Sequence, residues 1–204
     1  MISKLPSYKK LCYGSSVYDI QSNLSDIDFI ILQIDTSIPV KLKDPDTQVV
    51  TIKQFKNNLV EHDLKTLEIY YENFDFFYNK LEMEHTLNLD KLRRVVSATV
   101  SNSYVKAKKK ITLSQDEKSL DIYVGLKSYW HCIRILVMFS HLAKYKHFKP
   151  SSFKKQLMPI YVGIMSYMFC SKPSKFEEVD KEFKTTLRQL QTDFRILAPL
   201  ITAN

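Results

Sequence analysis

The chain has 204 residues, 45% of them hydrophobic and 25% charged, with a formal net charge of +8. That apolar share supports one buried core or two joined ones and excludes a disordered chain, while the basic balance favours an acidic partner such as nucleic acid or nucleotide phosphate. Only three glycines leave no room for a glycine-rich loop, and the scattered Cys12, Cys132 and Cys170 fit neither a disulfide framework nor zinc spacing.

Residues 1–10 carry Lys4, Pro6, Lys9 and Lys10 without an apolar run, so no secretory signal is expected there. Residues 13–32 read as a Gly14-Ser15 turn, a polar segment, and a strand bearing Asp26 and Asp28. Alternate residues of a strand share a face, so both carboxylates project from one side while residues 29–32 run into an interior. Two hard oxygen ligands side by side suit Mg²⁺ (or Mn²⁺), which takes one or two carboxylates together with substrate phosphates. The turn just upstream offers backbone N–H groups and a hydroxyl to a phosphate tail.

Gly14-Ser15 followed by Ser25-Asp26-Ile27-Asp28 resembles the DNA polymerase β-like nucleotidyltransferase superfamily, whose pattern is Gly-Ser, a second glycine, then Ser-Asp-x-Asp. Asp19 stands in place of the second glycine. The resemblance implies an α+β fold, with a small nucleotidyltransferase sheet flanked by helices. It also implies Mg²⁺ on Asp26 and Asp28, and an NTP such as ATP against Gly14, Ser15 and Ser25.

Residues 33–46 form a connection with Pro39 and an Asp44-Pro45-Asp46 turn. Residues 48–52, rich in β-branched side chains, are a second strand. The family usually keeps a third carboxylate on such a neighbouring strand, and Asp46, at its mouth, is the stand-in. From Ile52 the pattern turns helical, breaks near His62-Asp63, and resumes with Leu64, Leu67, Glu68, Tyr70 and Tyr71. Gln54-Phe55, Asp63-Leu64 and Leu67-Glu68 are similar in order and spacing to a subgroup of predicted nucleotidyltransferases from bacteria and their phages, although the subgroup's Asn-Pro is here Asp63-Leu64. That likeness makes Glu68 a second candidate active-site acid.

Residues 74–84 are aromatic and acidic, and Glu82, Glu84 and His85 fit no metal-ligand template. Residues 89–112 read as a helix capped by Asn88 or Asp90, with Leu92, Val95, Val96, Val100 and Tyr104 on its apolar face. Lys106, Lys108, Lys109 and Lys110 at its end relieve the helix dipole and suit a phosphate-tracking patch for an RNA or DNA acceptor. Residues 120–148 form a helix apolar almost all round, hence buried. At ~100° per residue Lys127, His131 and Arg134 share one stripe of it, and buried cations require an anionic partner. The subgroup is similar there, which implies that Lys127, His131 and Arg134 meet the nucleotide. A further helix covers residues 152–169. Ser174 and Glu177 form a capping box that opens the last one, whose stripe of Phe183, Leu187, Leu190, Phe194 and Leu197 is core.

The most apolar run, residues 157–170, falls short of the ~20 residues a membrane span needs. The expected protein is soluble and cytoplasmic, with an α/β half at 1–85, a helical half at 86–204, and a catalytic cleft completed by both. The expected reaction is Mg²⁺-dependent transfer of a nucleoside monophosphate from an NTP to an acceptor hydroxyl, with RNA or tRNA favoured by the charge and pyrophosphate released. The acceptor and the oligomeric state stay open. Asp19 and the displaced third acid motivate a second class, a nucleotide- or protein-binding module on the same fold without turnover. A nucleic-acid binder driven by charge alone is a third.

Overall fold

A short strand absent from the sequence expectation sets the geometry of the N-terminal unit. The computed structural model describes residues 7–14, 17, 28–37, 48–113, 120–169 and 176–200. β1 (Tyr8–Cys12) pairs antiparallel with β2 (Phe29–Gln33), which pairs parallel with β3 (Gln48–Thr51). Leu11 stands opposite Ile30 and Leu32 opposite Val50, and all four are buried, so this face of the sheet is core. Lys9 occupies the same face. Its ammonium lies 3.6 Å from the centre of the Phe76 ring, and burial lowers its pKa.

Asp28 precedes the regular part of β2 rather than lying within it. The Tyr13 N–H nevertheless donates to the Asp28 carbonyl at 3.0 Å, extending the β1–β2 ladder by one pair. Gly14 and Asp28 are therefore neighbours by register, and β1 is the element that makes them so.

α1 (Ile52–Val60) starts where β3 ends, because Thr51 and Gln54 form a reciprocal capping box. The break at His62 is a left-handed residue (φ 58°) whose ring Nδ1 lies 3.0 Å from the Val60 carbonyl. Asp63 then caps α2 (Leu64–Glu72), accepting from the Thr66 N–H at 2.9 Å and its hydroxyl at 2.6 Å. α2 is buried over most of its length, Glu68 included, and its aromatic side chains join α3 (Phe74–Leu81). There Phe77 stacks on Phe55 at 4.6 Å, and the Tyr70 hydroxyl donates to the Met83 carbonyl at 2.9 Å.

The chain forms two compact units, residues 1–87 with 149–154 and residues 88–148 with 155–204. In the second unit, α4 (Leu89–Leu113) is capped by Asn88, which accepts from the Lys91 N–H at 2.9 Å. Asp90 instead pairs with Arg94 at 3.0 Å. α4 runs antiparallel to α5 (Leu120–Tyr145). The two backbones approach closely at Gly125, where a Cβ would lie 2.6 Å from Ile111 Cγ1. α5 is buried almost continuously from Ile122 to Phe139, as a helix apolar all round requires. In place of one helix over 152–169 the chain makes a 3₁₀ turn (Pro150–Phe153), α6 (Lys154–Ser166) and another 3₁₀ turn.

α7 (Phe176–Leu197) buries Phe176, Val179, Leu187 and Phe194, and Asp180 stands among them. Residue 174 of the expected capping box lies outside the described residues. The architecture is thus α+β, a three-stranded sheet with helices followed by a mostly helical half. Among the described residues no helix is long and apolar enough to cross a membrane.

Candidate functional site

Gly14, Asp28 and Glu68 come from three elements and meet at one turn. Gly14 follows β1 in the left-handed region (φ 63°), where a side chain is strained. A Cβ on it would lie 2.8 Å from Asp28 Oδ2, so glycine is required by the backbone, and a side chain there would also push the Asp28 carboxylate aside. The Gly14 N–H donates to Glu68 Oε2 at 3.3 Å, across 54 residues of chain. Glu68 is 2% exposed and Asp28 is partly buried. Replacing Gly14 with Ala should destabilise the fold by about 2–3 kcal/mol, lowering Tm by about 5–10 °C. A thermal melt unchanged in Gly14→Ala would refute this crowding.

Two residues that sequence reasoning missed surround the same turn. The Tyr13 ring lies beneath the Lys65 ammonium, 4.9 Å from its centre, and Lys65 also donates to Gln48 Oε1. The Tyr13 hydroxyl is held above its usual pKa by burial and then by Asp28, Glu68 and Asp63, which reports a concentration of negative charge. Asp63 is occupied as the cap of α2. Lys65 stands one helical turn before Glu68, a spacing visible in the sequence.

The stripe on α5 assembles in the second unit. Arg134 is 4% exposed, and its Nη2 donates to His131 Nδ1 at 3.0 Å, which requires that ring nitrogen to be an unprotonated acceptor. The guanidinium carbon lies 5.4 Å from the Trp130 ring centre, and Lys127 lies 5.9 Å from that of Tyr123. Burial, then Arg134, Lys106 and Lys127, push the His131 imidazole down to about 3. Lys106, from α4, is thus a cation of this cluster as well as one of the lysines expected to relieve the dipole at the end of that helix. In the first unit, burial and then His62 push His85 down to about 4, while the Tyr71 hydroxyl and His85 Nδ1 lie 3.2 Å apart.

These two histidines set an acid limit. Each has a folded pKa below the unfolded value of about 6.5, so the unfolded chain binds protons first. Stability should be fully present above about pH 6.5 and fall as pH drops toward about 4 for His85 and about 3 for His131. Imidazole NMR titration checks this, and either ring protonating near pH 6.5 would contradict it.

Of the expected site residues, Gly14, Asp28 and Glu68 are therefore brought together. Lys127, His131 and Arg134 are gathered separately in the second unit. Ser15, Ser25, Asp26 and Asp46 lie outside the described residues, as does Asp19. Among the described residues no three His, Cys, Asp or Glu side chains cluster as a metal site. The donors present, two carboxylates at one turn, have the hard-oxygen chemistry that Mg²⁺ takes alongside phosphates and water. No family model, no curated protein and no solved structure matches the chain.

Proposed function

We propose that the chain is a metal-dependent nucleotidyltransferase of the DNA polymerase β-like type, moving a nucleoside monophosphate from an NTP to an acceptor hydroxyl. The observation that carries this reading is the convergence of Asp28 and Glu68 on Gly14, because Glu68 stands 40 positions beyond Asp28 in the chain and the family likeness had singled out both. Asp28 and Glu68 would hold Mg²⁺, with Asp26 as the partner the sequence motif supplies and Asp46 as a further acid. When bound, the ion supplies charge neutralisation for the phosphates.

The chain's own residues do the rest. Ser15, as the sequence motif implies, holds the phosphate tail by donation from its hydroxyl. Asp28 or Glu68 accepts the proton of the acceptor hydroxyl as its oxygen attacks the α-phosphorus, and the bond to the leaving pyrophosphate breaks in line. Positioning supplies most of the rate gain in such a transfer. Within the second unit, Lys127, His131, Arg134 and Lys106 gather positive charge beside a neutral imidazole, chemistry suited to a phosphate group in its own right. The net charge and the lysines ending α4 favour RNA or tRNA as acceptor.

One feature favours the alternative of a nucleotide- or protein-binding module without turnover. The Gly14 N–H is given to Glu68, so that amide is engaged by a carboxylate rather than free for a phosphate. Incubating the full chain with each labelled NTP, Mg²⁺ and a cell extract separates the two. Labelled acceptor together with released pyrophosphate supports transfer. Mg²⁺-dependent NTP binding with no pyrophosphate from a broad acceptor panel supports the module.

A further inference from the structure

We propose that the groove between α4 and α7 is a second binding site, for a nucleoside phosphate. It is an open cleft with a volume of about 410 Å³, within the range of small-molecule sites. Its floor is Asp180, 7% exposed, whose Oδ1 accepts from the Tyr104 hydroxyl at 2.8 Å and the Tyr129 hydroxyl at 3.0 Å. Oδ2 accepts from Lys184 at 2.7 Å. With three donors the carboxylate is satisfied and its charge compensated, so the floor does not turn an anion away.

The rim is cationic. Lys108 from α4 and Lys181 from α7 are exposed, and among the described residues neither takes part in an ion pair. Among the described residues lining it, Glu177 is the one opposing charge on that rim. Lys108 has an ordinary explanation at a helix C-terminal end, but Lys181 sits toward the N-terminal end of α7, where the helix dipole gives a cation no support. Tyr104 and Phe176, edge to face with ring centres 5.4 Å apart, add an apolar wall. Inorganic phosphate would leave that wall unused, and an apolar acid would leave one ammonium unused. A nucleotide uses all of them, with phosphate on the lysines and base against the wall.

The site does not depend on the transferase reading, since none of its residues belongs to the turn at Gly14. The test uses the full chain in EDTA with two probes, fluorescently labelled AMP and a short single-stranded oligoadenylate. Lys108→Glu and Lys181→Glu should each weaken binding at least about tenfold, while Lys144→Glu, the same charge change at the far end of α5, should cost less than about twofold. Binding of AMP assigns the site to free nucleotides, and binding of the oligonucleotide alone assigns it to a chain. Equal losses in all three variants, or no binding of either probe, would overturn the proposal. Asp28→Asn should leave this affinity unchanged even where it removes transfer.

Discussion

The Asp28→Asn protein is expected to lose nucleotidyl transfer by on the order of 10³-fold or more while melting within about 2 °C of the parent. Asparagine keeps the size of the side chain, so the close approach to Gly14 survives. The ladder bond from Tyr13 uses the backbone carbonyl of residue 28 and is untouched. What disappears is one negative charge. Tyr13 supplies a readout independent of activity. Its hydroxyl is held up by burial and then by Asp28, so its pKa should move down in the variant. Full activity of Asp28→Asn at saturating Mg²⁺ would sink the transferase reading. An unmoved Tyr13 would instead fault the geometry of the turn.

The largest loss of stability is expected at Asp180. Asp180→Ala leaves two tyrosine hydroxyls and a lysine without their shared acceptor. Unpaired buried polar groups cost about 1–3 kcal/mol each, so a total of about 3–5 kcal/mol and a fall in Tm on the order of 10 °C follow. Asp180→Asn keeps an acceptor for the phenols and should cost less than half of that. Equal denaturation midpoints for Ala, Asn and the parent would show that the network carries no stability.

The same network fixes the response to alkali. Burial, then Asp180, holds the Tyr104 hydroxyl at about 12, and the same two causes raise Tyr129 further. Both folded values lie above the unfolded value of about 10, so this stability is complete below about pH 10 and is lost as pH climbs through the folded values. Asp180 runs the other way. Burial pulls its pKa up, but the bonds from Lys184, Tyr104 and Tyr129 outweigh that and leave it lowered. Its contribution is therefore present above about pH 4 and is lost as pH falls through the folded value. Tyrosinate absorbance followed alongside unfolding tests the alkaline arm.

The helical half was largely legible because its signals are local. Residues 120–145 are apolar almost all round, and a helix of that kind has one destination. The α1–α2 break could be placed at His62-Asp63, and the structure supplies its cause in a left-handed residue followed by a capping aspartate. β1 was not legible. Tyr-Lys-Lys-Leu-Cys has one buried apolar residue, and Lys9 fills a core-facing position with its ammonium over the Phe76 ring, which no alternation pattern records. Glu68 could be named only through a family likeness, because its bond to Gly14 spans 54 residues. Lys106 joined the α5 cluster by helix packing alone. Asp180 did leave a trace, since an acid seven residues before Leu187 sits in an apolar stripe and requires buried donors.

The return of residues 149–154 to the first unit bears on the timing of synthesis. Ser151 donates its N–H and hydroxyl to the Glu72 carboxylate at 2.8 and 2.9 Å, across 79 residues. At about 5–20 residues per second, a ribosome needs roughly 4–16 s to travel from one partner to the other. In that interval the sheet and α1–α3 have emerged, yet the last contacts of their unit are still untranslated. The usual order, in which an N-terminal unit is finished before its successor begins, is closed to this chain. α4 and α5 are both translated first, so the N-terminal unit acquires its final clasp only after the helical hairpin has left the ribosome.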